Sequence, residues 1–219
     1  MTDRPDPDDR PWLLALHSSS DSLGVGLQRL GAPQPERLEC FPLGRSLSNG
    51  LFDCLESVLP ASAWPRLGRL AVATGPGGFT GTRLTVVLAR TLAQQLALPL
   101  DGISSFRLMA RRLLAGLRPP SEAGPFWLLQ DLPRRGVVAG LYGADPGQPG
   151  GVAELEAPRL HRGSEVLAPF PIHPAEVRLP EDVIHLLGFS AASAASGLAA
   201  PWQPVLPLYP TSPVEVLPC

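Results

Sequence analysis

The spacing of apolar positions changes several times along the chain, and each change marks an element. Trp12–Leu16 is continuously apolar, the pattern of a strand buried on both faces. After the polar run His17–Ser22, Leu23, Val25 and Leu27 alternate with Gly24, Gly26 and Gln28. That is the two-residue period of a half-buried strand, so the two runs predict a hairpin. Arg37–Phe41 is a weaker third strand that closes a meander. From Ser46 to Leu59 the period lengthens: Leu47, Leu51, Leu55 and Val58 share one helical face, Ser46 or Ser48 caps the start, and Pro60 stops the end. Leu70–Ala73 returns to a short strand before a glycine-rich turn, and a helix is expected from about Thr82 to Leu98, where Leu98-Pro99 ends it. Leu100–Ile103 reads as a strand. Ser104 or Ser105 then opens a helix to about Leu117, with Phe106, Met109, Leu113 and Leu117 on its apolar side.

The resulting order is β-β-β-α-β-α-β-α. A three-stranded meander feeding two strand–helix crossovers is the half-unit of the two-lobed actin/hexokinase/sugar-kinase architecture, whereas a plain Rossmann unit does not begin with a hairpin. The expected fold class is therefore α/β and actin/hexokinase-like. Residues 11–118 form the first lobe, with 200–219 returning to complete it. Past residue 120 the pattern restarts more faintly with Phe126–Gln130, the turn DLPRRG, Val137–Tyr142 and Val152–Leu155, predicting a smaller, degenerate second lobe over 119–199. A helix from Glu181 to about Ala199 belongs to it. Because small residues dilute its period, a strand at Val183–Leu187 stands as the competing reading. Residues 1–10 are acidic and proline-rich and are expected to be a disordered tail, without the apolar core of a secretory signal.

Composition narrows the chemistry. The 219 residues are enough for a sizeable core, and 44% hydrophobic with 17% charged residues is ordinary for a globular protein. A net charge of -2 announces neither nucleic-acid nor anionic-membrane binding. All 18 basic residues are arginine, so a P-loop lysine, a Schiff-base lysine and a lysine general base are excluded together. Cys40, Cys54 and Cys219 form no C-x-x-C pair and suggest neither a disulfide framework nor a thiolate zinc site, which fits a reducing cytoplasm. His17, His161, His173 and His185 have no metal-binding spacing, and no G-x-S-x-G elbow supplies a hydrolase nucleophile. No apolar run reaches the roughly 18 residues of a membrane span.

The densest signal is TGPGGFTGTR, Thr74–Arg83. It matches neither the P-loop, which needs Lys-Ser/Thr, nor G-x-G-x-x-G, because Thr80 stands where the last glycine belongs. Lying between a strand and a helix, its backbone N–H groups around Gly77 and Gly78 suit an anion. The alternative is that its glycines permit close approach to a neighbouring element. In the hairpin turn LALHSSSDS, Ser18 and Ser19 are phosphate-ligand candidates, set against the more ordinary reading of turn hydroxyls bonding nearby backbone. His17 occupies the place where actin-like phosphotransferases carry an aspartate, and a neutral imidazole is a poor substitute for a carboxylate that holds magnesium water. Cofactors and metals are therefore not expected.

The stretch ATGPGGFTGTRLTVVLARTLAQQLALPLDGISSF resembles the signature of the TsaB (YeaZ) family, in which a strand precedes GPGSFTGxR and a helix and a strand follow. LLALHSSSDSLGVGLQ, RSLSNGLFDCLESVL and VLPLYPTSP are similar to the family's first hairpin, first helix and C-terminal motif. Departures are His17 for the usual hairpin Asp, Arg45 for a His, a missing Glu in RRGVVAGLY, and Pro210 within the terminal motif. The resemblance implies a non-catalytic scaffold for making tRNA threonylcarbamoyladenosine. Its partners would be the transferase TsaD and the ATPase TsaE, tRNA would be met through the complex, and a homodimer would use the same helical face. It also implies a docking surface on the first two helices, here Arg45, Leu47, Leu51, Leu55, Phe79, Thr80, Arg83 and Val87. The competing use of the leucine stripe is to cover the protein's own sheet. The competing function is an autonomous actin-like, ATP-dependent phosphotransferase or ATPase.

Overall fold

The computed structural model describes residues 10–116 and 124–210. The expected tail lies, apart from Arg10, outside them, as do Leu117 and the end of the C-terminal motif. The alternating hairpin forms as β1 (Trp12–His17) and β2 (Leu23–Arg29), antiparallel with Leu14 opposite Leu27, and β3 (Arg37–Phe41) extends the meander. Helix α1 (Leu47–Val58) leads to β4 (Leu67–Ala73), which lies parallel to β1. Helix α2 (Phe79–Leu96) leads to β5 (Leu100–Ile103), parallel to β4 and followed by α3 (Ser105–Gly116). The first sheet thus has the order β3-β2-β1-β4-β5.

A second meander follows: β6 (Phe126–Leu132), β7 (Gly136–Ala144) and β8 (Val152–His161), joined on the other side of β6 by the parallel strand β9 (Ile172–Pro174). Its order, β8-β7-β6-β9, repeats that of β3-β2-β1-β4. The repeat is degenerate because a single 3-10 turn at Ser164–Val166 replaces the helix between the third and fourth strands. Residues 181–195 form the helix α4 (Glu181–Ala195), so the strand reading of Val183–Leu187 gives way to the helical one.

Strand alternation explains the layering. Trp12, Leu14 and Leu16 face one core with Leu47, Leu51, Leu55 and Val58 of α1 and Val86, Ala89 and Ala93 of α2. Leu13 and Ala15 face a second core, shared by Phe106 and Met109 of α3, Leu186 and Phe189 of α4, and Phe126, Leu128 and Tyr142 of the second sheet. Helices α3 and α4 are therefore sandwiched between the sheets. Two buried charge pairs fix them. Arg69 of β4 grips Asp101 of β5 at 2.7 and 2.9 Å while Ser190 of α4 donates to the same carboxylate, and Arg112 of α3 donates to Asp182 of α4 at 2.9 Å. The segment beyond α4 returns along the first sheet: Leu100 N–H donates to the Ala200 carbonyl at 2.8 Å and Leu208 N–H to the Thr74 carbonyl at 2.7 Å. Among the described residues no helix is long and apolar enough to cross a membrane.

Candidate functional site

Three segments distant in sequence meet at one corner: the turn after β1, the glycine run before α2, and the first turn of α3. The glycines make the meeting sterically possible. Gly75 has φ +93°, a Cβ on Gly81 would lie 2.6 Å from the Ser18 carbonyl oxygen, and one on Gly77 would overlap Ser19. Gly78 N–H then donates to the Ser19 carbonyl at 2.8 Å. Close approach of backbone is thus the observed use of these glycines. Helix α2 begins at Phe79, three residues earlier than its apolar period suggests, with Gly78 before its first turn.

The hydroxyls at this corner turn inward. Ser18 Oγ lies 2.8 Å from Thr85 Oγ1, and Ser19 Oγ lies 2.7 Å from Ser105 Oγ and accepts from Thr82 Oγ1 at 3.2 Å. All five residues are buried. Ser18 and Ser19, the phosphate-ligand candidates, are spent on this internal network and tie the hairpin to both α2 and α3. Thr82, Thr85 and the bridging use of Ser105 are the residues that sequence reasoning missed. Only the helical spacing of Thr82 and Thr85 hinted that they share a face. Ser19→Ala strands two buried hydroxyls, so a loss of about 1–3 kcal/mol is expected in urea unfolding.

His17 lies beneath the same turn, fully buried, with Nδ1 accepting from Ser19 N–H at 3.3 Å and Nε2 without a partner. Burial lowers its pKa from 6.5 to about 3, so the imidazole is neutral when folded. The unfolded chain binds this proton below pH 6.5 and the folded chain does not, so the stabilisation is whole above 6.5 and shrinks as pH falls toward 3. Moving from pH 7 to 5 should cost about 2 kcal/mol through His17, measured as a fall in urea midpoint. His17→Asn should flatten that slope.

The outward side of the corner is different in character. Arg45, Phe79 and Thr80 border a surface depression of about 550 Å³ between the starts of α1 and α2, with Leu47 at its edge beside Ser20 and Asp21. Along α2 the exposed positions Thr80, Arg83 and Val87 continue one helical stripe. Phe79 is 48% and Val87 53% exposed, and Phe52 on α1 is 55% exposed. Leu47, Leu51 and Leu55 correct the expected docking stripe: at 6%, 4% and 0% exposed they belong to the core under α1, and of the three only Leu47 reaches the rim of the depression. Of the eight anticipated interface residues, the structure places Arg45, Phe79, Thr80, Arg83 and Val87 on the surface. Phe52, off the apolar stripe, joins them in exposure. The cleft between the second sheet and the glycine run narrows to about 110 Å³, where Phe79 packs on Tyr209 with ring centroids 4.9 Å apart and planes tilted by 38°.

Comparison with known proteins adds to this geometry. A family model described as TsaD, tRNA N6-adenosine threonylcarbamoyltransferase, matches residues 47–131. The chain is 32% identical over 141 residues to the Bacillus subtilis (strain 168) protein called tRNA threonylcarbamoyladenosine biosynthesis protein TsaB. That alignment covers 59% of this chain and 54%, about half, of the relative. The crystal structure of a Pseudomonas aeruginosa protein described as uncharacterized, with similarity to peptidase YEAZ, superposes with a TM-score of 0.69 at 22% identity, covering 91% of this chain and 99% of that one. The structure of YeaZ from Pseudomonas aeruginosa gives 0.64 at 21% identity, covering 90% and 100%. These two structures share the fold. In this chain the two sheets repeat one strand order, β3-β2-β1-β4 and β8-β7-β6-β9.

Proposed function

We propose that this chain, whose likenesses support the TsaB/YeaZ family, serves in tRNA threonylcarbamoyladenosine biosynthesis as a non-catalytic subunit. In this reading it binds a TsaD-type transferase, and with it a TsaE-type ATPase, in the cytoplasm, and meets tRNA through the complex. The observation that carries the reading is the division of labour at the α2 corner. The inward hydroxyls of Ser18, Ser19, Thr82 and Thr85 are consumed by one another, while Phe79, Thr80, Arg83 and Val87 face solvent. A surface on which exposed Phe79 and Val87 flank Arg83 suits a protein partner, since aromatic and arginine side chains are favoured at interfaces. Without that partner, the same face is where two copies of this chain would meet.

A second reading, an autonomous ATP-dependent phosphotransferase, draws on the start of α2, which has no side-chain cap and faces the depression beside Arg45. Against it stand the buried serines and the neutral His17 where a carboxylate is needed. Co-expression with the organism's own TsaD-type protein followed by size-exclusion chromatography separates the two readings when run beside calorimetry with Mg-ATP. Co-elution without nucleotide turnover is the expected result. Micromolar Mg-ATP binding with hydrolysis by the chain alone would favour the phosphotransferase.

A further inference from the structure

At the β5 edge of the first sheet, a cavity of about 380 Å³ opens between the start of α3, strand β8 and the returning segment. This volume is in the range of small-molecule sites. It is lined on one side by Val205, Leu206 and Leu208 and on the other by Ser104, Arg107 and Glu154. Arg107 and Glu154 carry opposite charges yet form no ion pair among the described residues. Each is instead held separately. Arg107 Nη2 donates to the Val152 carbonyl at 2.9 Å and to Gln148 Oε1 at 3.3 Å, while the Tyr142 hydroxyl donates to Glu154 Oε2 at 3.0 Å. Burial, then the Glu154 carboxylate, push the Tyr142 phenol up, so it remains a donor. At the floor, Ser104 is 9% exposed. Its hydroxyl is near enough to the phenol to lower its pKa but makes no well-formed hydrogen bond, and Arg107 Nε is also buried without a partner.

A positive and a negative group held by separate partners in one recess, with apolar residues beside them, match a molecule carrying both charges. We infer that this cavity binds a small free α-amino acid. Its carboxylate lies toward Arg107 and the positive end of α3, its ammonium lies toward Glu154, and its side chain rests on Val205, Leu206 and Leu208. A lone carboxylate would face Glu154 without compensation, and a lone amine would face Arg107.

The full chain, isotopically labelled, is titrated with L-valine, with 3-methylbutanoate and with isobutylamine, which carry both charged groups, only the carboxylate, and only the amine. L-Valine should shift the Arg107 Nε–H and Ser104 resonances saturably in the millimolar range, with the other two at least about tenfold weaker. Glu154→Gln, a change at an exposed position, should weaken L-valine by about tenfold and tighten 3-methylbutanoate, whose carboxylate no longer meets a like charge. Ser104→Ala supplies a second variant that keeps both charges and should also weaken L-valine. The inference is overturned if L-valine gives no saturable shift, if 3-methylbutanoate or isobutylamine binds as tightly, or if Glu154→Gln has no effect on L-valine while its spectrum remains that of the folded chain.

Discussion

Leu51→Glu should unfold the packing of α1 on the first sheet rather than disable a surface. Leu51 is 4% exposed, on the α1 face that meets Leu14, Leu16 and Leu27 in the core. The substitution removes the burial of a leucine side chain and replaces it with a carboxylate that no described side chain is placed to neutralise. The two effects together cost about 4 kcal/mol or more. Set against a total stability of roughly 5–15 kcal/mol, that is a large fraction, and the thermal midpoint should fall by about 10 °C or more. Circular dichroism melting checks it. A variant that melts with the parent would mean that α1 turns this leucine outward, restoring the docking role that the resemblance implies.

Val87→Glu should do the reverse. Val87 is 53% exposed on the middle of α2, where glutamate is a better helix former than valine and lies one turn beyond Arg83. Stability should stay within about 0.5 kcal/mol of the parent, as for most surface changes. If α2 is the docking face, a charge in place of its exposed valine should weaken the complex with a TsaD-type partner by about 30-fold or more, the size of an interface hot-spot residue. Phe79→Ala tests the same face at its other end. Surface plasmon resonance against the immobilised partner gives the ratio, and unaltered affinity for both variants would place the interface elsewhere.

These two outcomes also mark where the sequence was a sufficient guide. The meander was readable because Trp12–Leu16 of β1 is continuously apolar and β2 alternates, two patterns with few alternatives. Helix α1 was readable from its leucines, but periodicity locates an apolar face without saying what covers it, and Leu47, Leu51 and Leu55 proved to cover the chain's own sheet. The second sheet was only half visible. Strand β8 runs to His161, well past Leu155: Glu154, Glu156, Pro158 and Arg159 interrupt the alternation, and β9 is three residues long and ends in a proline. The glycine run was correctly suspected of permitting close approach. The partner of that approach was hidden, since a hydroxyl network linking Ser18 and Ser19 to Thr85, Thr82 and Ser105 leaves no periodic trace. The cavity at Arg107 was equally unreadable: its walls come from α3, β8 and residues near 205, brought together only by the second lobe and the returning segment.

The account's central claim is that the chain works by being held against a catalytic partner. The most direct measurement is threonylcarbamoyladenosine formed on tRNA in a reaction reconstituted from the organism's TsaD-type and TsaE-type proteins, a threonylcarbamoyl donor and tRNA, with and without this chain. The account predicts product only when the chain is present, and its loss when the chain carries Val87→Glu. Equal product in the chain's absence would contradict it.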